Sequence, residues 1–102
     1  MHRLTVAYPA REGATFDFDY YRTKHLPMVM SHIGPSAKRA EVGRGVAGAA
    51  PGAPSPYMAI GQIWIEGLER LGAALQNHGR EIMGDVPNYT NIEPVVSIDE
   101  VL

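Results

Sequence analysis

The chain contains no cysteine, which excludes disulfides, thiol nucleophiles and thiolate metal ligands. It also lacks a long hydrophobic run, since no stretch approaches the roughly 20 apolar residues that a membrane-spanning helix needs. The start of the chain, from His2 to Tyr8, has no apolar core of the kind found in signal peptides. These absences predict a soluble, cytoplasmic protein with no membrane partner.

The net charge of the chain is also small. The chain carries 9 Lys and Arg against 11 Asp and Glu, a formal net charge of −2. A nucleic-acid-binding protein would be expected to have a basic surface, so this balance argues against such a partner. A length of 102 residues with 45% hydrophobic content is typical of one globular domain, which we place over residues 1–102.

Sequence signals for cofactor and metal binding are missing as well. No glycine-rich phosphate loop follows a strand, and no Gly-x-Ser-x-Gly turn is present. His25 and His32 would lie two turns apart on one helix, which is too far for a standard chelate. The sequence therefore predicts no nicotinamide site, no other cofactor and no metal.

The hydrophobic pattern predicts four strands and two helices. Leu4, Val6 and Tyr8 alternate with polar or small residues, the period of a strand with one buried face. The predicted elements are a strand over 4–8, a helix over 17–33, a weak strand over 38–46, a loop over 48–56, a strand over 57–65, a helix from 68 with Gly79 as its C-cap, a turn or short helix over 80–87, and a strand over 89–98 with Pro94 at an edge or bulge. This β-α-β-β-α-β order predicts an α+β, ferredoxin-like fold with an antiparallel four-stranded sheet.

The first helix combines a start signal, a polar face and a proline. Asp17 is the predicted N-cap, and Pro27 should kink or restart the helix near His25. Tyr21 and His25 are four residues apart and therefore share one face. This face could form a polar site, or it could be a packed amphipathic surface on which His25 caps the backbone carbonyls that Pro27 leaves free.

Two motifs of the chain resemble those of the EthD family, which is named for an ethyl tert-butyl ether degradation cluster. The residues that carry the resemblance are Tyr20-Tyr21 with Lys24-His25-Leu26-Pro27, and Gly84-Asp85-Val86-Pro87-Asn88-Tyr89-Thr90. The resemblance implies a dimeric α/β barrel, in which the sheets of two subunits pack face to face. Since two helices cover only one face of such a sheet, an apolar second face would need a partner, and we expect a homodimer.

His25 is the strongest candidate for a catalytic residue. The ordinary pKa of an imidazole lies near neutral pH, so His25 could act as a general acid or base. Asp85 could orient His25 through a hydrogen bond, and Tyr21 could donate a proton or hold a substrate carbonyl. Asp85 could instead serve only to form the turn between the last helix and the last strand.

A second group of residues is predicted to bind a small hydrophobic ligand. Gln62 and Trp64 lie on one face of the strongest strand, where they could line a pocket between two sheets. The same residues could simply fill the core of a dimer. Tyr8, Tyr20 and Tyr89 complete the predicted substrate-binding set.

The resemblance implies an oxidoreductase-type or isomerase-type enzyme that needs no cofactor. Its substrate would be a small hydrophobic, oxygenated or aromatic metabolite of a catabolic or biosynthetic pathway, with His25 as the acid or base. The alternative is a non-catalytic accessory protein that carries such a metabolite to a partner oxygenase. A third possibility is a dimeric scaffold without a cavity.

Overall fold

A computed structural model describes residues 1–102 and shows one sheet with helices on one side. The strands, the α-helices and the π-helical segment are β1 (His2–Pro9), α1 (Phe18–Tyr20), a π-helical segment (Tyr21–His25), α2 (Leu26–Ile33), β2 (Ala37–Arg44), β3 (Tyr57–Ile65), α3 (Glu69–Gly84) and β4 (Val95–Glu100). The strand order is β2-β3-β1-β4, and every neighbouring pair is antiparallel. The predicted α+β, ferredoxin-like fold is confirmed. None of the helices is both long and apolar enough to span a bilayer.

The two faces of the sheet have different surroundings. Along β3, every second side chain is buried, as expected when one face of a strand packs against helices. Ala59, Ile63 and Ile65 lie on this covered face and belong to the hydrophobic core. Gln62 and Trp64 lie on the other face and are only half-buried. The core therefore sits between the helices and one side of the sheet.

The first helix starts at the predicted cap but bends by a different device. The Asp17 side chain accepts a hydrogen bond from the backbone N–H of Tyr20. From Tyr21 the helix widens into a π-helical segment, in which the N–H of Leu26 bonds the carbonyl of Tyr21. Pro27 then falls in the first turn of α2, where a missing backbone donor costs least. The irregularity predicted near His25 is this widened segment.

Two boundaries differ most from the sequence-based prediction. The second helix does not stop at Gly79 but continues to Gly84, because Ile82 is buried in the core and offsets the helix penalty of about 1 kcal/mol for a glycine. The last strand begins at Val95, after Pro94, rather than at residue 89. Tyr89 is therefore in a loop, and this release from the sheet lets its side chain turn toward the helices.

Candidate functional site

The π-helical segment presents His25 to the interior of the protein. His25 is 5% exposed and its ring stacks on Tyr21, with ring centroids 5.3 Å apart. Nδ1 of His25 lies 2.9 Å from Oδ2 of Asp85, so the predicted hydrogen bond is present. Nε2 lies 3.4 Å from the hydroxyl of Tyr89. Because both ring nitrogens face side chains, His25 does not cap the carbonyls near Pro27.

Asp85 is held in place by three hydrogen-bond donors. It lies at the C-terminal end of α3, where Oδ1 accepts bonds from the Tyr20 hydroxyl at 2.6 Å and from Nδ2 of Asn88 at 2.9 Å. Burial raises the pKa of Asp85, but the bonds from Tyr20, Asn88 and His25 outweigh it, and the net pKa is lower than usual. Asp85 is therefore ionised at neutral pH and accepts a hydrogen bond from Nδ1–H of His25.

His25 itself is neutral in this setting. Burial lowers the pKa of His25 from its usual value of 6.5, and the nearby carboxylate of Asp85 opposes that shift without cancelling it. With Nδ1–H donating to Asp85, the lone pair of Nε2 faces Tyr89. The long contact of 3.4 Å leaves Nε2 available to a stronger partner.

Tyrosine hydroxyls continue the polar chain beyond His25. The hydroxyl of Tyr89 lies 2.8 Å from that of Tyr8, and both side chains are buried. Burial raises the pKa of Tyr8, of Tyr21 and of Tyr89 well above the ordinary value. The phenols therefore keep their protons and can donate hydrogen bonds to an oxygen atom of a ligand.

The neutral imidazole and the phenols line an apolar cavity of about 90 Å³ between the helices and the sheet. Its lining residues are Leu4, Val6, Tyr8, Tyr21, His25, Leu26, Val29, Ile33, Ile63, Leu71, Ala74, Leu75, Ile82, Met83, Val86, Tyr89, Pro94 and Val96. Leu75, Met83 and Val96 are 45%, 57% and 54% exposed, so the cavity opens between α3 and β4. One water molecule needs roughly 10–15 Å³ of such space. A cavity of about 90 Å³ therefore has room for a small organic molecule.

The predicted residues fall into two groups on opposite faces of the sheet. His25, Tyr8, Tyr21 and Tyr89 line the cavity, whereas Asp85 and Tyr20 stand behind His25. Gln62 and Trp64 face away from the helices. There, Nε2 of Gln62 donates to Oγ1 of Thr5 at 3.3 Å, and the guanidinium of Arg39 lies 3.9 Å above the Trp64 ring. The structure therefore does not bring Gln62 and Trp64 together with His25.

Sequence reasoning missed the wall of the cavity and the hydrogen bond that Asn88 donates to Asp85. Asn88 lies inside the motif over 84–90, and its spacing of three residues from Asp85 could have indicated their contact. Leu71 and Leu75 repeat at helical spacing, which by itself indicates only core packing, and α3 turns both toward the cavity. No sequence signal marks Met83 or Val96 as residues of its opening.

The burial of neutral His25 makes stability depend on pH. The unfolded chain binds a proton to His25 below about pH 6.5, whereas the folded protein resists this protonation. Lowering the pH from 7 to 5 should therefore favour unfolding, with the loss ending once the pH passes the lowered pKa of the folded state. We expect the melting temperature of the His25→Asn variant to fall less over this interval. Equal slopes for the wild type and the His25→Asn variant would contradict the shift.

Comparison with known proteins places this geometry in a family. Residues 12–93 match the EthD domain. A solved structure of an EthD-like protein from Ralstonia eutropha is 42% identical, with a TM-score of 0.92, over 99% of this chain and 91% of that one. An uncharacterized 11.0 kDa protein of the thcB–thcC intergenic region of Rhodococcus erythropolis is 32% identical over 89% of this chain and 85% of its own length.

More distant solved structures share the fold. An ethyl tert-butyl ether degradation family protein from Bacillus halodurans is 22% identical, with a TM-score of 0.63, over 100% of this chain and 99% of that one. HapK from Hahella chejuensis is 17% identical, with a TM-score of 0.58, over 100% of this chain and 93% of that one. At these identities the likeness extends to the fold alone.

Proposed function

This chain belongs to the EthD family, and on that premise we propose that it is an enzyme that moves a proton on a small hydrophobic, oxygenated molecule. The observation that carries the proposal is the Asp85–His25 pair, whose free imidazole nitrogen faces the apolar cavity. A carboxylate that fixes the tautomer of a histidine is a recurrent arrangement for general acid–base catalysis. Such a step serves both oxidative and isomerising reactions.

The three tyrosines favour a substrate that bears a carbonyl oxygen. Hydroxyl groups with raised pKa values remain proton donors, and they can stabilise negative charge that develops on an oxygen atom. The ligand oxygen would replace Nε2 of His25 as the partner of Tyr89, since that contact is long. Nε2 would then be free to accept a proton from the carbon next to the carbonyl group.

Proton exchange with solvent tests this step without knowledge of the full reaction. We would incubate the protein in deuterated water with a panel of small apolar ketones and aromatic carbonyl compounds, and follow the α-hydrogen signals by NMR. A member of the panel that fits the cavity should lose these signals faster than in buffer alone. If ligands of the panel bind to the cavity without any faster exchange, the acid–base proposal is wrong.

Ligand binding without faster exchange of the α-hydrogens would indicate a carrier rather than an enzyme. The cavity lining is mostly apolar, which by itself suits binding and delivery of a hydrophobic metabolite to a partner oxygenase. A carrier should respond to Met83→Glu, which places a charge at the cavity opening, and should be insensitive to loss of the His25 base. Trp64 cannot report on ligand binding in this cavity because it lies on the other face of the sheet.

We also propose that the protein is a homodimer joined through the helix-free face of the sheet. The β3 residues Ile60 and Trp64 are only half-buried there, and Val95 of the edge strand β4 is 58% exposed. Burying such apolar surface favours association, although the Gln62–Thr5 bond makes the centre of the face polar.

Sedimentation equilibrium should give twice the mass of one chain. Ile60→Glu should lower it to one chain mass, Val46→Glu in the exposed loop should not, and a monomeric wild type would refute the dimer.

A further inference from the structure

Three potential metal ligands meet on the surface where α2 and α3 pack together. His32 comes from α2, while His78 and Glu81 are three residues apart on α3 and therefore share one face of that helix. One ligand atom from each residue lies within 4.8 Å of the other two. The sequence predicted no metal site, because spacing along one helix does not reveal ligands that two helices contribute.

We propose that His32, His78 and Glu81 form a binding site for a divalent transition-metal ion of the zinc type. Two imidazoles and one carboxylate are a donor set that zinc uses when it keeps a fourth position open for water. Nitrogen-rich sets of this kind select transition metals over Mg²⁺ and Ca²⁺, which prefer oxygen ligands.

The distances require only side-chain adjustment to accept an ion. Nε2 of His32 lies 2.8 Å from Oε2 of Glu81, and Nδ1 of His78 lies 3.9 Å from the same oxygen. Tetrahedral zinc with bonds of 2.0–2.1 Å separates its ligand atoms by about 3.3 Å. The His78 and Glu81 side chains are 43% and 56% exposed, so they can rotate to this spacing.

The stacked imidazoles show that the two helices already hold the ligands together. The rings of His32 and His78 lie 3.8 Å apart and are nearly parallel, with an angle of 9°. An ion would pull the rings out of this stack and tie α2 to α3. Because α3 forms one wall of the apolar cavity, the bound ion would also brace that wall. The alternative is a metal-free contact in which hydrogen bonding and stacking alone join the helices.

Titration calorimetry with tag-free protein tests the site with ZnCl₂ and MgCl₂ as probes. The expected result is one zinc ion per chain, no heat with magnesium, and a zinc-dependent rise in melting temperature. His78→Gln and Glu81→Gln should each weaken zinc binding by at least about 10–100-fold, the range seen even for partners outside the metal's ligand set. Glu69→Gln removes a carboxylate from the same helix away from the cluster and should bind zinc like the wild type.

Two results would overturn the proposal. Wild-type protein that shows no zinc binding would leave the cluster as a metal-free contact between the helices. Equal zinc affinity of wild type and both cluster variants, with native circular dichroism spectra, would place the ion elsewhere on the protein. Neither result bears on the acid–base proposal, because His25 and its cavity share no residue with this cluster.

Discussion

Replacing His25 with asparagine should slow the exchange of the ligand's α-hydrogens with solvent by about 10²–10⁴-fold, the usual contribution of a general acid or base. Asparagine can still donate a hydrogen bond to Asp85 from the position of Nδ1, but it provides no base at the position of Nε2. The loss should therefore appear in turnover, while ligand affinity stays close to that of the wild type. Exchange rates measured by NMR over a range of ligand concentrations separate the two quantities.

A matched variant guards against a general effect of losing a histidine. His2→Asn changes a residue of β1 that lies outside the cavity, and its exchange rate should equal that of the wild type. If His25→Asn exchanges protons at the wild-type rate in a folded protein, His25 is not the base. If instead it loses ligand affinity with turnover unchanged, the residue shapes the cavity only.

Gly61→Ala should destabilise the fold, because a Cβ at this position of β3 meets the ring of Tyr21. An ideal Cβ at Gly61 would lie 2.0 Å from the hydroxyl oxygen and 3.0 Å from Cζ of Tyr21, so the ring must move. Tyr21 is 2% exposed, and its surroundings leave it little space for that movement. We expect a loss of about 1–3 kcal/mol in the free energy of unfolding, the usual cost of overpacking, measured by urea denaturation.

Two further variants test whether the contact with Tyr21 causes the loss of stability in Gly61→Ala. In Tyr21→Phe the hydroxyl is absent, so the double variant should lose less stability than the sum of the two single variants. Gly43→Ala places a Cβ in β2 where nothing lies within 4 Å, and it should change stability little. Additive effects, or equal losses for Gly61→Ala and Gly43→Ala, would show that the Tyr21 contact does not limit the space at Gly61.

Much of the fold follows from patterns that are local in the chain. The alternation of Leu4, Val6 and Tyr8 predicts β1, and these three residues do face the cavity side of the sheet. Asp17 caps the first helix because a short acidic side chain can reach the free backbone donors of its first turn. The Asp85–His25 bond was also predictable, since both residues belong to motifs that the EthD resemblance brings together.

The parts that were not predictable depend on contacts between distant segments. Gln62 and Trp64 do lie on the face of β3 that the helices leave uncovered, but the alternation along β3 gives no sign that the cavity with His25 lies on the opposite face, under the helices. Gly79 has the composition of a helix end, but core packing of Ile82 carries the helix past it. Pro94 delays the last strand, so Tyr89 serves the candidate site rather than the sheet.

NMR of isotope-labelled histidine, recorded while a ligand from the carbonyl panel is added, tests directly whether His25 is the base. Without ligand, His25 should be a neutral imidazole with its proton on Nδ1, and ligand binding should shift the Nε2 signal of His25 while the signals of His2 stay unchanged. If a ligand exchanges its α-hydrogens, or simply binds, without any change at Nε2 of His25, then His25 is not the base. The same conclusion follows if His25 carries both ring protons at neutral pH.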